Sequence, residues 1–143
     1  SPLLNQTAPN FVLPLLNHPN KKQTEKIFLK KCSLLQVWAS WCTNCSQEPQ
    51  KLFQLKNDFP LLQIIGLNYK DNLNDAKKFI KNYGNPYEII LIDKNGDTSI
   101  DYGVYGTPES FLIDPQGKII YKTIGSELNL PPKLLKECLA EST

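Results

Sequence analysis

The sequence predicts an α/β domain with a mixed central β-sheet flanked by helices on both faces. Two apolar runs, residues 33–40 and 61–69, are typical of strands buried on both sides in a parallel sheet. The segment between them has helical spacing, which predicts a right-handed β-α-β unit. Two later apolar runs flank the short turn 115–117 (PQG), which predicts an antiparallel hairpin and therefore a mixed sheet.

Length and composition indicate one soluble globular domain. The chain has 143 residues, the size of a single domain, so we expect one domain over 1–143. Hydrophobic residues make up 41% and charged residues 21%, both ordinary for such a protein. The formal net charge of +2 is spread along the chain, so we expect no nucleic-acid partner.

The first elements lead from an edge of the sheet to its centre. Segment 10–16 (NFVLPLL) predicts a short strand or an extended piece, which Pro14 and Pro19 keep at an edge. Segment 21–29 is compatible with a helical turn or a strand. The run 33–40 (SLLQVWAS) predicts the central strand.

A helix follows this central strand. Leu52, Leu55 and Phe59 recur at helical spacing, and Pro60 ends the pattern. Pro49 falls inside the predicted helix and removes a backbone hydrogen bond, so we expect a kink there.

A second helix follows the second buried strand. Asn72 or Asn74 is its predicted cap, Phe79 and Ile80 are predicted to face inward, and Gly84 ends it. The remaining predicted elements are three strands and a C-terminal helix that begins with proline. Their ranges are 87–93 (YEIILID), 109–114 (ESFLID), 118–124 (KIIYKTI) and 131–141 (PPKLLKECLAE).

No stretch approaches the roughly 20 apolar residues that span a bilayer, and residues 1–11 lack the pattern of a signal peptide. The sequence starts at Ser1 rather than at a methionine. We therefore expect that the natural protein carries a signal or anchor segment before Ser1.

The cysteine spacing argues against a structural metal site. Zinc needs four ligands, usually as two close pairs, but Cys32 and Cys138 are isolated and His18 is the single histidine. We expect no metal and no cofactor. We also expect Cys32 and Cys138 to be free, buried thiols that behave as small hydrophobes, with a disulfide between them as the alternative.

The remaining two cysteines form a C-x-x-C pair between the central strand and the first helix. A helix start stabilises a thiolate at Cys42, which predicts a nucleophile with a pKa below that of a free thiol. Cys45 would then be the resolving thiol that breaks the mixed disulfide made by Cys42. The alternative is a staple, but a disulfide that closes a loop this short stabilises little.

Several segments carry a resemblance to a known family. The segment 37–45 (VWASWCTNC) resembles the active site of the thioredoxin superfamily, and 103–114 (GVYGTPESFLID) resembles its cis-proline loop. The finer resemblance is to the CcmG/DsbE family of periplasmic thiol-disulfide oxidoreductases, which implies a thioredoxin-like fold. It covers roughly residues 7 to 125 and includes the blocks TAPNFVLP, LNYKD and YGNPY.

The resemblance implies a set of site residues around the dithiol. It implies a cis bond between Thr107 and Pro108, with main-chain groups of Thr107 binding an extended substrate. Trp41 matches the tryptophan of the active site, where the ring would shield the thiol and contact the partner. Thr43 and Asn44 lie between the two cysteines.

Two acidic residues and one amide complete this set. Glu48 and Glu109 match acidic positions that the family places near its redox centre, where a carboxylate would raise the pKa of the thiol. The alternative for each is a solvated surface acid. Thioredoxins proper carry a buried aspartate where this chain has Gln36, and a neutral amide cannot act as a base.

The resemblance also implies a function. It implies a reductant for the haem-binding C-x-x-C-H segments of apocytochrome c, a DsbD-type membrane electron donor, contact with haem-ligation components, and a periplasmic protein tethered to the inner membrane. The alternatives are a general disulfide oxidase or isomerase, and a non-catalytic holdase for apocytochrome. A peroxiredoxin would share the fold, but this cysteine pair is not its usual arrangement.

Overall fold

The computed structural model describes residues 3–142 and confirms the α/β fold. Two short strands pair antiparallel near the N-terminus, and five longer strands form the central sheet. The seven strands are β1 (Val12–Pro14), β2 (Lys22–Thr24), β3 (Ser33–Trp38), β4 (Gln63–Tyr69), β5 (Ile89–Asp93), β6 (Glu109–Ile113) and β7 (Ile119–Ile124).

The central sheet is mixed, as predicted. Its strand order is β5-β4-β3-β6-β7, with β3, β4 and β5 parallel and with β6 and β7 antiparallel to their neighbours. All six residues of β3 are buried, which agrees with a central strand. In the register, Gln36 of β3 lies between Gly66 of β4 and Ser110 of β6.

Helices cover both faces of this sheet. On one face, Leu52 of α1, Phe79 of α2 and Leu135 of α4 belong to one buried cluster. On the other face, Phe28 and Tyr102 belong to a second cluster, beside a 3-10 turn and the short helix α3. The bounds are α1 (Glu48–Asp58), α2 (Leu73–Tyr83), α3 (Asp97–Asp101), α4 (Pro132–Ala140) and the 3-10 turn Glu25–Phe28. The sequence did not predict α3.

The expected kink at Pro49 is wrong. The α-helix begins at Glu48, so Pro49 lies in its first turn, where backbone N–H groups have no partner inside the helix. A separate 3-10 turn, Cys45–Gln47, joins Cys45 to this helix.

Other local predictions hold. Asn72, rather than Asn74, caps α2: its side-chain oxygen accepts a hydrogen bond of 3.1 Å from the backbone N–H of Asp75. Segment 21–29 contains both of the elements that the sequence allowed, β2 and the 3-10 turn. No helix within residues 3–142 has the length and apolar character needed to cross a membrane.

The prediction that Cys32 and Cys138 are free thiols is wrong. They form a disulfide, with the two Cα atoms 5.4 Å apart. Cys32 directly precedes β3 and Cys138 lies on α4, and both are buried. The fold packs α4 against the start of the central strand, so residues far apart in sequence meet in space.

Candidate active site

The second disulfide joins Cys42 and Cys45 in the turn between β3 and α1. Backbone N–H groups close this turn, from Cys42 to the carbonyl of Ala39 at 3.2 Å and from Cys45 to that of Cys42 at 3.3 Å. The exposed fraction is 8% for Cys42 and 1% for Cys45. The first cysteine is therefore the more accessible of the pair, and the second is covered.

Trp41 presents its ring to solvent beside the dithiol. Its side chain is 56% exposed, yet its indole N–H donates a hydrogen bond of 2.9 Å to the carbonyl of Lys70. Its ring also lies 6.1 Å from the ring of Tyr69. The loop after β4 thus fixes an exposed apolar ring directly before Cys42.

Asp71 in the same loop holds the residue before Trp41. Its two carboxylate oxygens accept hydrogen bonds from the backbone N–H and the hydroxyl of Ser40, both at 2.7 Å. They also accept from the side chain of Asn68 at 3.0 Å and from the backbone N–H of Asn72 at 2.8 Å. One carboxylate therefore ties the active-site turn to the end of β4.

The Thr107–Pro108 peptide bond is cis, in agreement with the resemblance. Pro108 is buried and directly precedes β6, whose first residue, Glu109, pairs with Val37 near the end of β3. Thr107 is partly exposed. The proline loop and the turn that carries Cys42 therefore emerge at the same edge of the sheet.

Glu109 is buried and holds this proline loop. Its carboxylate accepts hydrogen bonds from the backbone N–H groups of Tyr105 and Gly106 at 2.9 and 3.0 Å. It also forms an ion pair with Lys122, with 3.1 Å between Nζ and Oε1. Glu109 is therefore not the solvated surface acid of the alternative interpretation.

Glu48 is also buried, with an exposed fraction of 1%. Its Oε1 accepts a hydrogen bond of 3.1 Å from the side-chain amide of Gln36. The carbonyl oxygen of that amide accepts one of 2.6 Å from the hydroxyl of Tyr87. Ser110 lies on the other side of the amide, 3.5 Å from its nitrogen. A connected polar cluster thus lies inside the core, next to the first turn of α1.

Burial raises the pKa of both titratable groups in this cluster, Glu48 and Tyr87. Desolvation raises the pKa of Glu48 above its ordinary value of 4.5, and the ammonium of Lys51, 3.6 Å away, opposes the rise only in part. Desolvation and the nearby Glu48 carboxylate raise the pKa of Tyr87 well above its ordinary value. Tyr87 therefore remains a hydrogen-bond donor, while Glu48 takes up a proton more readily than an exposed glutamate.

Several site features were not evident from the sequence alone. Asp71 and Tyr87 lie in the segments LNYKD and YGNPY, whose only signal was their resemblance to family blocks. Thr43 and Asn44 are exposed at the tip of the active-site turn. Within residues 3–142, no group of three or more His, Cys, Asp or Glu side chains is placed to hold a metal ion.

Comparison with known proteins agrees with this geometry. The family model described as Redoxin matches residues 3–135. A thiol:disulfide interchange protein DsbE of Allochromatium vinosum is 41% identical over 87% of this chain and 68% of its own length. The DsbE protein of Escherichia coli K12 is 39% identical over 96% of this chain and 72% of its own length. A crystal structure of a DsbE-type protein from Chlorobium tepidum superposes with a TM-score of 0.79, at 29% identity over 96% of each chain.

The thioredoxin-like sheet and the dithiol at its edge define a thiol-disulfide oxidoreductase. The chain belongs to the Redoxin family and, within it, to the DsbE/CcmG-type thiol:disulfide interchange proteins.

Proposed function

We propose that this oxidoreductase reduces disulfides, specifically those that close the haem-binding C-x-x-C-H segments of apocytochrome c. The observation that carries the proposal is the Cys42–Cys45 disulfide, in which the first cysteine is slightly exposed and the second is covered. Haem attachment needs both thiols of such a segment free, and an oxidising compartment tends to close them. The resemblance to the DsbE-type relatives supports the choice of this cytochrome substrate.

The reaction transfers two electrons in two exchanges. The Cys42 thiolate attacks one sulfur of the substrate disulfide, which breaks that bond, forms a mixed disulfide and releases the first substrate thiolate. Cys45 then loses its proton and attacks the sulfur of Cys42, which releases the second substrate thiolate. Both released thiolates take protons from water, and the Cys42–Cys45 disulfide remains. A DsbD-type membrane dithiol donor would reduce it for the next cycle.

We assign Glu48 as the group that accepts the proton of Cys45. It lies three residues after Cys45, and its backbone N–H bonds to the carbonyl of that cysteine. Its carboxylate is buried, and its Oε2 atom has the ammonium of Lys51 at 3.6 Å but no hydrogen-bond partner. Its raised pKa moves it toward the range in which a general base is effective.

The substrate would bind across the exposed surface around Cys42. The ring of Trp41 is accessible on one side, and the cis-proline loop with Thr107 lies at the same edge of the sheet. Backbone groups of such a loop can pair with an extended peptide. The Thr43 and Asn44 side chains, between the cysteines, would then face this peptide.

We further propose that the protein works in the periplasm, tethered to the inner membrane. The buried Cys32–Cys138 disulfide supports this location, because stable disulfides persist in oxidising compartments and are rare in the cytosol. Proximity to a membrane electron donor would keep the Cys42–Cys45 pair reduced although its surroundings are oxidising.

The test is to trap the substrate. Cys45→Ser cannot resolve the mixed disulfide, so we expect it to accumulate a covalent complex with a peptide that carries an oxidised C-x-x-C-H segment. Cys42→Ser is the matched control and should form none. Trapping by neither variant, or haem attachment that is normal in cells with Cys42→Ser, would favour a binding role without turnover. A reduction potential near about −120 mV would instead make the protein an oxidant.

A further inference from the structure

The side-chain amide of Gln36 is held from two sides in the core. Its carbonyl oxygen accepts a hydrogen bond of 2.6 Å from the hydroxyl of Tyr87, and its nitrogen donates one of 3.1 Å to Oε1 of Glu48. Gln36 has an exposed fraction of 0%, Glu48 of 1% and Tyr87 of 6%. Water therefore does not compete for these bonds.

The absence of a side chain at Gly66 of β4 leaves space for the ring of Tyr87 beside Gln36. The tyrosine comes from the segment between α2 and β5, where its backbone N–H bonds to the side chain of Asn85 at 2.9 Å. Its ring stacks on that of Trp38, with centroids 5.8 Å apart and planes 13° apart. A Cβ atom at Gly66 would lie 3.0 Å from the ring, too close for a normal contact. The missing side chain at residue 66 thus lets Tyr87 pass over β4 and reach Gln36 on β3.

The direction of the amide decides what it does to the carboxylate. A carboxylate only accepts hydrogen bonds, so the amide favours the charged form of Glu48 when its N–H₂ end faces Oε1. With the amide reversed, the carbonyl oxygen would face Glu48 and would favour the protonated acid. A hydroxyl that donates to the carbonyl oxygen holds the amide in the first orientation and polarises its N–H groups.

We propose that Tyr87 is a positioning residue that acts through Gln36 to orient the Glu48 carboxylate for proton transfer from Cys45. The inference rests on the proposed role of Glu48. Lys51 on α1 also faces that carboxylate, at 3.6 Å, but it is partly exposed and also bonds to the carbonyl of Ser126. This chain has no acid at position 36. In its place, Tyr87 orients the amide of Gln36, and that amide orients the carboxylate of Glu48.

The experiment uses Tyr87→Phe, which keeps the stacked ring and removes only the hydroxyl. The reduced protein is mixed with the small aromatic disulfide 5,5′-dithiobis(2-nitrobenzoate), and release of the coloured thiolate is followed from acid to alkaline pH. Release of the first equivalent of coloured thiolate, the first phase, reports attack by Cys42. Release of the second equivalent, the second phase, reports resolution by Cys45. The control is Tyr83→Phe, an exposed tyrosine on α2.

We expect Tyr87→Phe to leave the first phase unchanged. The midpoint of the second phase should move to higher pH, and its rate at neutral pH should fall roughly two- to ten-fold, the effect of losing one neutral hydrogen bond. The rates should converge at alkaline pH, where Cys45 ionises without a base. Tyr83→Phe should behave as the unchanged protein. A second phase slowed equally at every pH, or not slowed at all, would overturn the inference.

Two further measurements separate this inference from the role of Glu48. If Glu48→Gln leaves the second phase unchanged, Glu48 is not the base and both proposals fail. If Glu48→Gln alters it and Tyr87→Phe does not, only the positioning role fails. The double variant should be no slower than Glu48→Gln alone, because both changes act through one group. A carboxyl ¹³C titration of the oxidised protein adds a readout free of catalysis: its Glu48 midpoint should rise in Tyr87→Phe, and an unmoved midpoint would contradict the proposal.

Discussion

At the scale of single residues, Glu48 shows a conflict between stability and chemistry. Folding removes its carboxylate from water and compensates it with one amide hydrogen bond and one ion pair to a partly exposed lysine. The oxygen that faces this lysine, Oε2, has no hydrogen-bond partner. Burial of an incompletely paired charge opposes folding, and such groups are concentrated at functional sites. The buried charge therefore fits a role in the reaction better than a role in stability.

This conflict predicts how stability depends on pH. Because the folded-state pKa of Glu48 is raised, the protonated form favours folding, and this contribution is lost as the pH rises from 4.5 through the raised value. Glu48→Gln cannot ionise and keeps a similar shape. We expect the variant to have a higher free energy of unfolding than the parent at neutral pH, with the difference shrinking toward pH 4.

Urea denaturation of the oxidised proteins between about pH 4 and 8 measures this difference. The control is Glu137→Gln, an exposed glutamate on α4, which should stay close to the parent throughout. A Glu48→Gln protein that is less stable than the parent at neutral pH would show that the contacts of the carboxylate outweigh its desolvation.

At the scale of elements, the loop after β4 fixes the active-site turn from outside. Asp71 accepts two hydrogen bonds from Ser40, and the carbonyl of Lys70 accepts one from Trp41. Lys70 itself has a positive φ of 45°, so the chain leaves the conformation of a regular strand at this residue. The position of Cys42 therefore depends on a loop about thirty residues further along the chain as well as on its own turn.

Asp71→Asn tests this dependence. Both carboxylate oxygens accept from N–H donors, Oδ2 from Ser40 and Asn68 and Oδ1 from Asn72, and an amide group can accept at only one end. We expect a loss of about 1–3 kcal/mol in the free energy of unfolding and slower attack by Cys42. Asp75→Asn, in the first turn of α2, is the control and should change stability by less than about 0.5 kcal/mol.

A double-mutant cycle with Ser40→Ala identifies the contact responsible. If Asp71 acts through Ser40, the two losses should not add, with a coupling of about 0.5–3 kcal/mol. Full additivity, measured by urea denaturation, would mean that Asp71 supports the loop alone and does not position the turn.

Local patterns predicted most elements, and the errors have local causes. Apolar runs located the strands of the central sheet, and burial on both faces makes this signal continuous in β3 and β4. The predicted kink at Pro49 is wrong because helical spacing does not reveal where the first turn of the helix lies, and proline in that turn is favourable. The helix α3, of five residues, is too short to show a period.

At the scale of the whole molecule, the features that the sequence left open depend on which elements meet. The dithiol and cis-proline segments can be recognised from the sequence because the residues of each are contiguous. The path from Tyr87 to Gln36 and Glu48 joins a connecting segment, a strand and a helix, and only the absent side chain of Gly66 hints at it. The pairing of Cys32 with Cys138 likewise needs the packing of α4 against the start of β3.

The two disulfides, Cys32–Cys138 and Cys42–Cys45, differ in loop length and in burial. Cys32–Cys138 closes a loop of 106 residues, whereas Cys42–Cys45 closes one of three. In the chain-entropy account, the long loop loses far more freedom in the unfolded state. Both of its sulfur-bearing residues are at least 98% buried, so an attacking thiolate has little access to them.

We therefore expect Cys32→Ala/Cys138→Ala to lower the free energy of unfolding by about 2–5 kcal/mol and to leave both phases of thiol release unchanged. Reduction of the Cys42–Cys45 disulfide in the unchanged protein should lower the free energy of unfolding much less. Alkylation followed by mass measurement, in a glutathione buffer that reduces Cys42–Cys45, should find Cys32 and Cys138 still joined. If both pairs open together, the long-range disulfide takes part in the redox cycle, because a structural cross-link would stay closed under conditions that reduce the more accessible Cys42–Cys45 pair.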